Sequence, residues 1–232
     1  MTKNKVNTPA LKYFRKDYFE HEAWQAKKIV CGVDEVGRGC LAGPLVTAAV
    51  ILPPGTDYRL LRDSKVMSLK DRLEAYAWIT TNCVYSYGIV NHRVINRHNI
   101  WHATLIAMKR ALLQVLSICP KKPSSILIDA MPVKLDNTPY AELPVYSSPF
   151  GESWSSSIAA ASIIAKVKRD GLMGKFDTLL PGYHLAQHKG YSTLLHKRML
   201  FEKYYSIIHR TSYLNKIILY ERPLHAKQQT IF

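Results

Sequence analysis

The sequence predicts an α/β fold, a mixed β-sheet flanked by helices with a helical region toward the C-terminus. Three observations predict it. Apolar runs rich in β-branched residues and bounded by Gly or Pro recur at 28–34, 44–52, 83–90 and 125–129. After the first strands, stretches with apolar residues at helical spacing alternate with them. The chain has 232 residues, 47% of them hydrophobic, enough for a full core in one domain of ordinary to large size.

Residues 8–27 mix aromatic and charged side chains, among them Tyr13, Tyr18 and Trp24, and read as an amphipathic helix leading into the domain. The runs 28–34 and 44–52 read as strands, and the Gly-rich link between them points to an antiparallel pair. Ser68 is placed to cap a helix reaching about residue 80, and a third strand follows over 83–90. Ile100, Leu105, Met108, Leu112 and Val115 recur at helical spacing over 99–117, and Pro120 and Pro123 stop that helix. A short strand over 125–129 ends in Asp129, and another is expected near 143–147. Residues 157–169 form a helix of small side chains able to pack closely on a sheet, with further helical patterns near 171–180 and 190–205. This divides the chain into an N-terminal helical extension (1–27), a central domain (28–211) and a C-terminal extension (212–232).

Lys plus Arg number 32 against 17 Asp plus Glu, a formal net charge of +15. The basic residues fall throughout the chain, which favours a polyanionic partner such as nucleic acid. The four cysteines form no CxxC pair and read as small apolar residues in a reducing compartment. The amino terminus lacks an apolar signal core, and no apolar run approaches the ~20 residues of a membrane span, so a cytoplasmic protein is expected.

Against this basic background the acids stand out. Asp34 and Glu35 are adjacent inside an apolar run, where carboxylates belong only if paired or bound to metal. Asp129 ends a strand, the position at which α/β sheets place ligands. Glu152 lies in the loop Phe150–Ser153 just before the small-residue helix. Several converging carboxylates are what phosphodiester hydrolysis with two metals ~4 Å apart requires, and hard Mg²⁺ or Mn²⁺ accepts such oxygen ligands. Taken singly, Asp129 reads rather as a turn-making acid and Glu152 as a loop charge. Neighbouring strand residues face opposite ways. Asp34 and Glu35 therefore share a site only if the strand bends or ends at Glu35, which Gly37 and Gly39 would allow.

The ordered motifs resemble bacterial ribonuclease HII. They are Val33-Asp-Glu-Val-Gly-Arg-Gly39 with Leu41-Ala-Gly-Pro44, then Asp63-Ser64-Lys65, then Asn99-Ile100 with Ala103-Thr104-Leu105. Ala160–Asp170, Pro181-Gly-Tyr183 and His188–Thr193 followed by His196 complete the set. The resemblance covers roughly residues 28–200 and makes the central domain a ribonuclease H type 2 catalytic domain of ribonuclease H-like fold. It implies an endonuclease that cuts the RNA strand of RNA–DNA hybrids. It also implies incision 5′ of a ribonucleotide embedded in duplex DNA, as in ribonucleotide excision repair, leaving 3′-hydroxyl and 5′-phosphate ends. The metal-binding acids carry over to Asp34, Glu35 and Asp129, with Mn²⁺ or Mg²⁺ as cofactor. At the fourth position the family usually has Lys-Gly-Asp-Ser, whereas this chain has Phe150-Gly151-Glu152-Ser153, so Glu152 is assigned as the substitute. A Glu there is also similar to ribonuclease HIII, a sister family with an extra N-terminal domain that is not expected in this chain.

The same resemblance gives Gly37, Arg38 and Gly39 the recognition of the ribonucleotide sugar and its phosphate. Tyr191 becomes a ring stacked on the next sugar, and Lys65, Lys166 and Lys189 become phosphate contacts. His184, His188 and His196 read as surface or substrate-facing histidines rather than a zinc site, and Asp170 as a structural ion-pair partner. The family implies a monomer without a membrane association. Two competing readings are a hybrid-only nuclease of HIII-like specificity and a non-catalytic RNA–DNA hybrid-binding protein in which Glu152 has spoiled the site.

Overall fold

A computed structural model of the protein describes residues 17–57, 59, 61, 64–148 and 151–214, the side chain of Glu152 excepted. The predicted residues 8–16, Asp63, Phe150 and those after 214 lie outside this description.

Five strands form one mixed sheet: β1 (Val30–Val36), β2 (Leu45–Ile51), β3 (Val84–Val90), β4 (Ser125–Asp129) and β5 (Val145–Ser148), in the order β3-β2-β1-β4-β5. β1 and β2 pair antiparallel, as the Gly-rich link predicts, and β2 pairs antiparallel with β3. β4 returns beside β1 in parallel, and β5 beside β4 in parallel. Helices α1 (Tyr18–Gln25), α2 (Leu69–Asn82), α3 (His92–Ile118), α4 (Ser156–Leu179), α5 (Leu185–His188) and α6 (Leu194–Lys203) complete the described chain.

The sheet is covered on both faces, which is why β2 is buried at every residue. On one face Cys31, Val33, Ile126 and Ile128 pack with Met108, Leu112 and Val115 of α3. On the other, Val36, Ala48 and Val50 pack with α2 and with the small residues Ala159–Ala161 of α4. Gly32 explains the small-residue helix from the strand side. A Cβ there would collide with the backbone of Ser157 and Ile158, so α4 lies almost against β1.

Several helix boundaries follow local chemistry. Ser68 caps α2, its side chain accepting from Asp71 N at 3.1 Å. α3 is broken at Asn99 (φ 62°), whose Oδ1 accepts from His102 N at 3.1 Å. The predicted helix over 99–117 is thus the second half, capped by Asn99 and preceded by another stretch from His92. The two segments predicted over 157–169 and 171–180 form the single helix α4, which runs through Gly171 and Gly174. α1 is tied to the start of α4 by Glu20, which is fully buried. Its Oε1 accepts from Ser155 Oγ at 2.6 Å and from Ser157 N at 2.9 Å.

Candidate active site

The parallel register sets the first two acids side by side. Val33 pairs with Ile128, so Asp34 and Asp129 come one step further along adjacent strands. Both take the α4 face, since Val33 and Ile128 share the α3 face and side chains alternate. β1 runs through Val36, one residue beyond Glu35, so the strand neither stops nor breaks at the second acid. Glu35 instead looks into a cleft of about 550 Å³.

Asp34 is buried, and its Oδ1 accepts from Glu35 N at 2.7 Å. Burial, then the neighbouring charge of Glu35 and that of Asp129, push its carboxyl well above the usual range, with a hydrogen bond from Ser162 acting the other way. Glu35 is pushed up to about 7, first by burial and also by Asp129, against the lowering effect of Arg38 and Lys65. Its Oε1 lies 3.4 Å from Arg38 Nη1, while Oε2 is buried without a hydrogen-bond partner. Asp129 Oδ1 accepts from Gly151 N at 3.0 Å, which draws the 3₁₀ turn Gly151–Ser153, and with it the backbone of Glu152, to the end of β4.

Buried carboxylates that repel one another, one with an orphaned oxygen, are a donor set suited to a hard divalent cation. Among the described residues, no three His, Cys, Asp or Glu side chains form a ready-made metal-holding group. Asp34, Glu35 and Asp129 sense one another electrostatically, and the fourth candidate, the Glu152 side chain, is outside the description.

Around Glu35 the cleft is basic. Arg38, Lys65, Arg72 and Lys166 line it, together with Gly37, Gly39 and Tyr191. Lys166 is held by Asp170 at 3.0 Å, the ion pair expected for that acid, and its ammonium stands 5.7 Å from the centre of the Tyr191 ring. Arg72 is a cleft residue that no motif signalled. Its Nη2 donates to Met67 O at 2.9 Å and its Nη1 lies 3.8 Å from Asp170. Lys189 does not line the cleft.

The two glycines of the Gly-Arg-Gly turn differ. Gly37 has φ 103° and rests on the Arg169 side chain, so a Cβ would meet that guanidinium. Gly39 faces open space, and only there does the missing side chain leave room for an outside group. Arg169 is fully buried and bridges the loops. Its Nε donates to Pro44 O (2.9 Å), Nη1 to Lys189 O (2.8 Å) and Nη2 to Ala42 O (3.2 Å), under the Tyr191 ring at 5.6 Å.

The histidines are corrected by their surroundings. His188 and His196 are buried, not substrate-facing, and their rings stack at 4.1 Å, while His184 is exposed. His188 donates from Nε2 to Tyr183 O at 2.7 Å and accepts from Gly190 N at 3.1 Å, which occupies both nitrogens with backbone.

A strand-borne acid pair thus stands beside a basic cleft. The family model described as Ribonuclease HII matches residues 31–216. The chain belongs to the ribonuclease HII family. It is similar to the ribonuclease HII of Levilactobacillus brevis, 41% identical over 84% of this chain and 73% of that one. Ribonuclease HII of Alkaliphilus metalliredigens is 40% identical over 86% of this chain and 97% of the relative. Among solved structures, the ribonuclease H2 of Pyrococcus horikoshii superposes with a TM-score of 0.66 at 25% identity, covering 82% of this chain and 96% of that one. Bst ribonuclease HIII in complex with Mn²⁺ shares the fold, with a TM-score of 0.64 at 22% identity over 83% of this chain and 69% of its own. As a member of the ribonuclease HII family, the protein is an endoribonuclease, a ribonuclease H-type hydrolase acting on RNA–DNA hybrids. No helix among the described residues is long and apolar enough to cross a membrane.

Proposed function

We propose that the protein, besides cutting the RNA strand of hybrids, incises duplex DNA 5′ of a single embedded ribonucleotide, acting as a cytoplasmic monomer. The observation that carries the reading is the meeting of two features. The mutually repelling acids Asp34 and Glu35 stand near the end of β1 beside the half-buried Asp129 at the end of β4, and a cation-lined cleft opens beside them with a glycine turn and an aromatic ring at its rim.

Asp34, Glu35, Asp129 and Glu152 would hold two divalent ions, Mg²⁺ or Mn²⁺. The relative solved with Mn²⁺ supports a divalent ion on this fold. Bound there, the ions supply an activated water and stabilise the leaving 3′-oxygen, so the products carry 3′-hydroxyl and 5′-phosphate ends. The chain's own residues do the rest. The carboxylates must be ionised to bind, and a cation offsets the burial and mutual repulsion that hold Asp34 and Glu35 above the usual range. Arg38, Lys65 and Lys166 neutralise phosphates along the cleft, with Lys189 a further contact beyond its lining, and polyanion binding follows from this charge. Gly39 lets backbone approach the 2′-hydroxyl, the one group that separates the ribonucleotide from its neighbours. Tyr191, 37% exposed at the rim, stacks on the following sugar, where a second 2′-hydroxyl would crowd it.

The test is cleavage of a labelled duplex containing one ribonucleotide, beside a long RNA–DNA hybrid, in Mg²⁺, Mn²⁺ or EDTA. A metal-dependent cut immediately 5′ of the ribonucleotide is expected. Cutting of the hybrid alone would move the protein to HIII-like specificity. Tight binding without any cut would make it a hybrid-binding protein.

A further inference from the structure

The proposed chemistry makes no use of the segment after α6, yet that segment is tied to both substrate-reading loops. Its backbone runs beside the first loop. Gly43 N donates to Ile208 O (3.0 Å), Arg210 N donates to Leu41 O (2.7 Å), and Ala42 and His209 form an antiparallel bridge. Its side chains then reach the Gly-Arg-Gly turn. Arg210 donates from Nε and Nη2 to Gly43 O (3.1 and 3.0 Å) and from Nη1 to Arg38 O (2.9 Å). Tyr213 Oη donates to the same Arg38 carbonyl at 3.1 Å.

The second loop is reached through two histidines. Ser206 N donates to His209 Nδ1 at 2.9 Å, so the His209 proton sits on Nε2 and is offered to His196 Nε2, also at 2.9 Å. His196 then carries its proton on Nδ1 and donates to Tyr191 O at 2.9 Å. The tautomers follow from the network itself. A relay of neutral rings therefore runs from the C-terminal segment to the carbonyl of the ring-bearing residue.

Arg210 is fully buried, and its hydrogen bonds end on carbonyls. An apolar side chain would fill that space with less desolvation. A guanidinium adds a planar fork that holds two carbonyls at one spacing. We propose that residues 206–214 are a clamp setting the distance between the two ribonucleotide readers, the Gly37–Gly39 turn and Tyr191. Arg210, His209 and Tyr213 are its positioning residues. The inference rests on the reading of those loops as sugar readers. One ribonucleotide in DNA offers a single 2′-hydroxyl in a single register, so a small misplacement of either loop loses it. A long hybrid offers a 2′-hydroxyl at every step, so loosened readers still find productive registers. The clamp therefore matters most for the isolated ribonucleotide.

The experiment compares full-length wild type with Tyr213→Phe, His209→Gln and Arg210→Lys on a single-ribonucleotide duplex and on a long hybrid, with kcat and KM separated and a thermal melt for each variant. Tyr213→Phe keeps the ring and removes one hydrogen bond, so it tests the clamp even if the buried variants fold poorly. For it, kcat/KM on the single ribonucleotide should fall about fivefold, the worth of one hydrogen bond, mainly in kcat. The hybrid should lose less. Arg210→Lys should shift the ratio further. Equal losses on both substrates, or an unchanged ratio in Tyr213→Phe, would overturn the clamp while leaving the sugar-reading function intact. Wild type that spares the single ribonucleotide would overturn that function and the clamp with it.

Discussion

The two ends of the active site are built differently. At one end Asp34 and Asp129 ride on adjacent parallel strands, and backbone register alone brings them together. At the other end Gly37–Gly39 and Lys189–Tyr191 are loops with φ of 103° at Gly37, 51° at Lys189 and 80° at Gly190. These loops lie outside the sheet, joined by a backbone bond from Leu41 N to Gly190 O at 2.8 Å. Buried side chains from distant segments hold their carbonyls, Arg169 from α4 and Arg210 from the segment after α6 directly, and His209 through the His196 ring. Charge chemistry sits on regular structure, where repulsion between acids is resisted by the sheet. Sugar reading sits on loops, whose shape is free to fit a ligand but must be fixed from behind.

The sharpest break in this contrast is Asp34→Asn or Asp129→Asn. Cleavage should fall by about a thousandfold or more, while the fold and hybrid binding survive. For Asp34 the melt should stay level or rise, since a strained buried charge has gone. Retained cleavage in either variant would take that residue out of the site. At the reader end the opposite pattern is expected. Arg169→Met strands the carbonyls of Ala42, Pro44 and Lys189, and urea unfolding should show a loss of roughly 3 kcal/mol or more. A neutral effect would mean that water replaces the guanidinium there.

Tyr191→Ala should lower cutting at a single ribonucleotide about tenfold more than cutting of a long hybrid, the scale of one lost aromatic stack. Equal losses would contradict junction reading. Acidification acts on the same end. Burial holds His196 and His209 down at about 4, from an ordinary 6.5. Between those values the unfolded chain binds more protons than the folded one, so stability falls as pH drops from 6.5 toward 4 and is fully present above it. One such group contributes on the order of 3 kcal/mol. The raised carboxyls of Asp34 and Glu35 act the other way over the same range, so the histidine share shows in the comparison: between pH 7 and pH 5 His209→Gln should lose less melting temperature, or gain more, than wild type. The same pH slope in His209→Gln and wild type would mean the His209 ring takes up its proton as readily in the folded chain as in the unfolded one. The smallest effect is expected for Glu152→Asp, a few-fold change in rate and in Mn²⁺ over Mg²⁺ preference. No change would place Glu152 away from the ions.

Strand alternation and turn chemistry carried most of the sheet. The Gly-rich link predicts the antiparallel pair, Ser68 caps its helix, and Pro120 and Pro123 follow the end of α3 at Ile118. Asp34, Glu35 and Asp129 stood out because acids in apolar runs demand a partner. The position of Glu35 was harder to read, since β1 continues to Val36 and the acid is accommodated by a cleft rather than by a strand end. The two helical patterns over 157–169 and 171–180 form the one helix α4, which runs through Gly171 and Gly174 because packing on the sheet outweighs about 1 kcal/mol per glycine.

Local pattern thus determined the strands, the caps and the acids, each set by residues within a few positions of one another. Tertiary structure alone decided what lies behind the reading loops. Arg169 is 125 residues from Pro44, and Arg210 is 172 from Arg38. An arginine in a helix or a tail carries no sign in its own neighbours that folding will bury its charge. Only the folded chain supplies the carbonyls that make such burial tolerable.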